Sequence, residues 1–150
     1  ATLKRLKAPN AFIARAVEFH SWLGTAPIDS DEGLMRLFRN TVGEDINEFL
    51  AIDEAWQNEW EDIREGAFED LRTKLRTIPR NRHTEPLADG NWLMQQTGLG
   101  QGRRLGRLKN WLHRIQIERD LASLEEVEEI LCTLPWQHGD ENKWPSMTWP

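Results

Sequence analysis

Apolar residues recur along this chain at the three-and-four spacing of an α-helix, in runs bounded by glycine or proline, and no stretch sustains a strict alternation. This constrains the fold most, because a period near 3.6 buries one stripe of a helix, whereas a half-buried strand needs a period of two. Asp89-Gly90, whose chemistry suits a hairpin turn, precedes a helical pattern instead of joining two β-rich runs. The expected fold is all-α: six or seven helices in two packed subdomains, followed by an irregular tail rich in Trp and Pro.

The stops and caps divide the chain. Residues 9–23 read as a first helix with Phe12, Ile13, Ala16, Val17, Phe19 and Leu23 on its apolar stripe and Gly24 as its end. Asp29 or Ser30 caps a second helix, with Leu34, Met35, Leu37 and Phe38 inward and Gly43 as its stop. From Glu44 the pattern runs through Ile46, Phe49, Leu50, Ile52, Ala55, Trp56, Trp60, Ile63, Phe68, Leu71 and Leu75, with a break expected near Gly66 and a stop at Pro79. These residues, 1–78, form one expected subdomain, and the polar segment 79–89 a linker. Residues 90–134 form the second subdomain: a short helix over 91–97, a glycine turn over 98–102, a basic helix over 103–119, and a helix capped by Ser123 with Val127, Ile130, Leu131 and Leu134 inward. Cys132 falls on the apolar side of that last helix and reads as a small core residue. Residues 135–150 should be irregular, frayed or pinned by Trp136, Trp144 and Trp149.

The net charge of −6 argues globally against a nucleic-acid partner, but the charges are segregated. Residues 44–70 hold eleven acids and a single base, Arg64. Residues 71–83 hold Arg72, Lys74, Arg76, Arg80 and Arg82 with no acid, and residues 103–119 hold six bases against Glu118. A partner feels the local field, because salt screens charges beyond about 10 Å, so an acidic chain can still present a basic face. One cysteine excludes an intrachain disulfide and a Cys-rich metal site, and fits a cytoplasmic protein. His20, His83, His113 and His138 are scattered with no ligand spacing, so no metal is expected. No apolar run is long enough for a bilayer and no signal peptide is visible, so no membrane partner is expected. The chain starts at Ala1, not Met, which leaves open a processed start or a piece of a longer protein.

The glycine turn is the motif with chemical content. Gly98, Gly100, Gly102 and Gly106 punctuate the entry to a helix bearing Arg103, Arg104, Arg107, Lys109 and Arg114. Free N–H groups and the helix dipole both favour an anion there, and the arginines would form a rail for an RNA backbone. Equally, the glycines suit a tight helix–turn–helix junction, and the arginines a solvated face paired with Glu125, Glu126, Glu128 and Glu129. Arg76 and Arg80, with Arg72, Lys74 and Arg82, make a second candidate surface, unless they pair with the acidic stretch before them. Trp92 and Trp111 could stack on a base but read better as core anchors. Asp29-Ser30-Asp31 has the letters of a metal-binding pair but sits where helix caps belong.

The order of these signals resembles the helical C-terminal half of class II tRNA nucleotidyltransferases, the CCA-adding enzymes, and of their poly(A) polymerase relatives. The resemblance is carried by Leu3-Lys4-Arg5-Leu6-Lys7-Ala8-Pro9-Asn10, by Leu34-Met35-Arg36-Leu37-Phe38-Arg39 with Val42-Gly43-Glu44-Asp45-Ile46, and above all by Pro86 to Met94 with Gly98, Gly102, Gly106 and Leu108. It spans residues 3–134, and the last sixteen residues lie outside it. It implies an all-α neck, body and tail that holds the acceptor arm of tRNA or a tRNA-like RNA. A catalytic head, in cis or in trans, would carry the carboxylates, the Mg and the NTP. No such head, no P-loop and no Ser–His–Asp set is visible here, so the chain by itself reads as non-catalytic and without a cofactor. A helical protein-interaction or regulatory domain without RNA binding is the alternative, with the acidic stretch 44–70 and the Trp-rich tail as its surfaces.

Overall fold

The computed structural model describes residues 10–150, with side chains from Ile13 onward, and every regular element among them is helical. The expected motif over residues 3–10 lies almost wholly outside the described residues. The elements are α1 (Asn10–Ser21), α2 (Glu32–Val42), α3 (Ile46–Trp60), α4 (Ala67–Thr77), α5 (Gly90–Thr97), α6 (Arg103–Arg119) and α7 (Leu124–Thr133), with 3-10 turns at Gly43–Asp45 and Glu141–Lys143.

Local chemistry explains the boundaries. Asp31, not Asp29 or Ser30, caps α2 by accepting from Leu34 N at 2.8 Å. Asp29 instead sits at φ 55° and holds Arg64 at 2.8 Å. Gly43, at φ 67°, ends α2 and leads directly into α3 through a 3-10 turn. The break expected near Gly66 opens earlier, after Trp60, and Gly66 at φ 78° starts α4. Asp89 caps α5 and Ser123 caps α7, and Glu126 reaches back to Ala122 N at 2.7 Å.

Two apolar clusters form. The first gathers Phe19, Met35, Leu37, Phe38, Phe49, Leu50, Phe68 and Leu71 from α1–α4. The second gathers Leu93, Leu105, Leu108, Leu112, Val127 and Leu131 from α5–α7. They join where α2 packs on α6. There Arg36 donates to Glu118 O at 3.2 Å, and Gly33 comes so close that a Cβ would lie 3.1 Å from the same oxygen.

Five readings of the apolar pattern are corrected, the first being Ala55, which is exposed on α3. Val17, Ile52 and Trp60 are 63%, 46% and 70% exposed, because no described element covers their sides of α1 and α3. Cys132 is exposed, on the face of α7 turned from Leu105 and Leu108.

The segment 79–89 is laid along α6. Fully buried Gln116 accepts from Leu87 N at 2.9 Å and donates to Glu85 O at 2.9 Å and His83 O at 3.2 Å. Asn81 donates to Ile117 O at 2.9 Å. Asp120 accepts from Arg82 N at 2.9 Å and from its guanidinium at 3.1 Å. The tail is irregular, as expected, and pinned. Trp144 is buried in the second cluster, and Trp149 in the first, where it lies 4.9 Å from Phe38 and donates to Thr25 Oγ1 at 2.9 Å.

Asp53 on α3 is wholly buried and accepts from Gly24 N, Ala26 N and Gln57 Nε2, so it sets the α1–α2 turn. Asp53→Ala would strand two backbone N–H donors and should cost about 2–5 kcal/mol in urea unfolding. Partial burial raises the Asp120 carboxyl, but the Arg82 amide and guanidinium outweigh it and hold the group below its ordinary 3.8. The stability this adds is complete above the unfolded value and disappears as pH falls through the lower folded one. Asp120→Asn should therefore destabilise at neutral pH, and the gap from the parent should close only well below pH ~4 in an acid titration of thermal stability.

Candidate anion interface

The sequence places nine candidate groups for RNA or phosphate on two surfaces, and the fold treats the two differently. On α6, a rise of about 100° per residue puts Arg103, Arg104, Arg107 and Arg114 on one flank and Lys109 on the opposite side. Lys109 lines a hollow between α5 and α6 with Asp89, Gln101, Gly102 and Gly106. Gly102 precedes α6 at φ 157° with no side-chain cap, Gly100 is exposed, and Gly106 has open space beyond its Cα. Arg103 is exposed. The amides of Gly98 and Leu99 are taken by Met94 O and Thr97 Oγ1, those of Gly100 to Gly102 meet no partner among the described residues, and the rail of five cations does not form a single face.

Three of those cations hold the tail. Arg104 donates to Trp136 O at 2.9 Å, to Gly139 O at 2.7 Å and to Glu141 at 3.1 Å, and its guanidinium lies 5.0 Å from the Trp144 ring. Arg107 donates to Glu141 O at 3.0 Å, Asn142 O at 3.2 Å and Trp144 O at 2.9 Å. Arg114 pairs with Glu118 at 2.9 Å and donates to Ser146 O at 3.2 Å. The pairing partners are therefore tail carbonyls, Glu141 and Glu118, and among the described residues none is Glu125, Glu126, Glu128 or Glu129. Trp111 stacks at 5.3 Å on Trp144 as a core anchor.

The second surface is assembled. Arg72, Arg76 and Arg80 line a groove of roughly 700 Å³ together with Arg39 from α2, and with Glu44, Ile46, Asn47, Leu75 and Ile78. Arg72 is spoken for by Glu54. Arg76 reaches only Thr73 Oγ1 at 3.4 Å, and among the described residues neither Arg76 nor Arg80 meets a carboxylate. Arg39 was not anticipated. It donates to Ile78 O and Pro79 O at 2.7 Å each and to Leu75 O at 3.4 Å, capping the end of α4, so its charge meets neutral oxygens only. Burial first, then the nearby Arg80 and Arg36, push Arg39 below its ordinary value. The groove holds more positive charge than the fold neutralises, and that is what a bound anion would supply. Arg82, expected beside Arg76 and Arg80, turns instead to Asp120.

Among the described residues no group of three or more His, Cys, Asp or Glu side chains converges as metal ligands would, and no helix is long and apolar enough to cross a membrane. No family model, curated protein or solved structure matches the chain.

Arg107→Ala would deprive three tail carbonyls of their donor. Hydrogen exchange at 137–143 should accelerate, while amides in the middle of α6 keep their protection; unchanged tail exchange would show that Trp136 and Trp144 alone hold the segment.

Proposed function

We propose that this chain is a non-catalytic RNA-binding module that grips the backbone of a tRNA-like RNA in the α2–α4 groove. On this reading it resembles the C-terminal region of a CCA-adding enzyme or poly(A) polymerase. A nucleotidyltransferase head, in cis or in trans, would bring the carboxylates, Mg and NTP and add nucleotides to the 3′ end held nearby. The observation that carries the proposal is the excess of guanidinium charge around Arg39, Arg76 and Arg80, with Arg72 alone matched by an acid. Such a groove suits phosphodiester oxygens, because arginine presents a planar fork of donors that fits phosphate two bonds at a time. It carries no base-reading element, so binding should be set by backbone shape and charge and not by sequence.

A protein-interaction role has one observation in its favour. Val17 and Ile52 are exposed, and an apolar hollow of about 430 Å³ lies between α1 and α3, lined by Phe19, Leu23 and Ile52. The tail tryptophans 144 and 149, by contrast, are buried and not offered to a partner.

Fluorescence anisotropy with a tRNA transcript, titrated over salt, separates the two. Arg76→Ala and Arg80→Ala should each weaken binding several-fold and lower the slope of log K against log salt by about 0.9 per lost phosphate contact. Affinity and slope that ignore both substitutions, or equal binding to an acidic protein, would end the RNA reading.

A further inference from the structure

Residues 136–143 are laid along α6 and held there mainly by arginine side chains. Gln137, His138, Gly139 and Asp140 are exposed, and the span contains only the one 3-10 turn. Between half-buried Trp136 and buried Trp144, the span is held to α6 by two guanidinium groups. Arg104 and Arg107 together take five backbone oxygens, those of Trp136, Gly139, Glu141, Asn142 and Trp144, and Arg104 also takes the Glu141 carboxylate. The acceptors are thus a row of oxygens along an irregular chain, ending in one anionic group. Exposed Arg103 lies one turn before Arg107 on the same flank.

We propose that residues 136–143 are a strap masking a second polyanion-binding face of α6, and that an RNA backbone displaces it to reach Arg103, Arg104 and Arg107. This rests on the RNA reading above. Exchange at the arginines favours the RNA, since a phosphate offers a guanidinium a full opposite charge and a two-bond fork, where a tail carbonyl offers only a dipole. The released carbonyls meet water, as their neighbours already do. Against release stand the Glu141–Arg104 pair and the partial burial of Trp136. The span can lift without unfolding either core, because its ends are Pro135 and Trp144. Trp144 and Trp149 stay seated as pins, and Arg114, bonded to Ser146 beyond Trp144, keeps the far side in place. Two surfaces result: the α2–α4 groove is open at all times, and the α6 flank opens only when a long polyanion already held nearby competes for it.

The test is hydrogen exchange on the full chain with and without a blunt-ended RNA duplex long enough to reach from the α2–α4 groove to the Arg103 flank, with occupancy followed by anisotropy. Bound RNA should speed exchange at 137–143 several-fold and leave the centre of α6 protected. Bound RNA with those amides unchanged or slowed overturns the strap and leaves the groove reading standing. Two variants approach from the other side. Glu141→Gln removes the one anionic tie, and Trp136→Ala loosens the near anchor; near-ultraviolet circular dichroism reports whether the Trp111–Trp144 packing survives in each. Both should bind the duplex several-fold more tightly than the parent. Equal or weaker binding by Glu141→Gln, in a protein whose tryptophan signal is intact, also overturns the strap. Failure of the parent and both variants to bind any duplex removes this inference and the RNA reading together.

Discussion

The hydrogen-bonding needs of one helix and the chain wrapped on it organise this molecule. α6 buries Leu105, Leu108 and Leu112 on one side, which fixes its rotation. Its remaining surface is bordered by two segments with little regular backbone pairing, 79–89 and 136–149. Backbone groups in such segments must still be satisfied. Gln116 and the carbonyl of Ile117 serve the first segment, and Arg104, Arg107 and Arg114 serve the second. Arginine suits this task because one guanidinium carries five donors in a fixed plane and can reach several carbonyls at once. Lysine would bring the same charge with three donors on a point and could not span Glu141, Asn142 and Trp144 together. Side chains thus tie the tail to α6, while its own backbone closes only short turns, such as Lys143 N to Asp140 O and Trp144 N to Glu141 O.

The same helix makes two apolar clusters into one body. Gly33 allows α2 to lie against the end of α6, and Arg36 ties the crossing to Glu118 O. Trp144 and Trp149 are five residues apart, yet each is buried in a different cluster, so the final residues bridge what α2 and α6 have already joined. The stitched segment 79–89 adds a third link. With three crossings, neither cluster can separate without exposing apolar surface and freeing buried donors, which favours a single cooperative unit over two hinged ones.

Much of the architecture was legible in the sequence because its signals are local. Asp89, Ser123, Gly43 and Gly98 act within one helical turn of their position, and the basic helix runs over the residues its composition suggested. What was not legible is what crosses the chain. Asp31 took the cap that Asp29 could also supply, because Arg64, far along the chain, claimed Asp29. Val17 and Trp60 share the helical period of buried neighbours, but a period says which side of a helix a residue is on and not whether another element covers it. The arginine flank of α6 is the sharpest case. Its expected partners were carboxylates, which have letters in a sequence, whereas most of the actual ones are backbone carbonyls, which every residue carries. Arg39 escaped notice for the converse reason. Arg36 is its one basic neighbour in sequence, too little to suggest a cluster, and only the packing of α2 on the end of α4 brings it to Arg76 and Arg80.

The charge map explains why an acidic chain is compatible with a polyanion partner. Much of the acidic run over 44–70 is already engaged: Asp45 and Glu48 with Arg15, Glu54 with Arg72, Asp70 with Arg64. Of the acids left over, Glu59, Glu61, Asp62 and Glu65 are exposed around and after the end of α3 and Glu69 on α4, where water and salt damp their field over about a Debye length, while Glu44 stands at the groove itself against four guanidinium groups. In the α2–α4 groove the opposite holds. Arg39 is partly withdrawn from water and the groove walls are apolar at Ile46, Leu75 and Ile78, so the field of Arg39 is screened less than that of the exposed acids, and exposed Arg76 and Arg80 add their charge to it. A net charge sums these regions as equals; a phosphate approaching the groove does not. Acids elsewhere on the surface would then serve orientation, repelling an RNA from the α3 end and leaving the groove as the side on which approach is downhill.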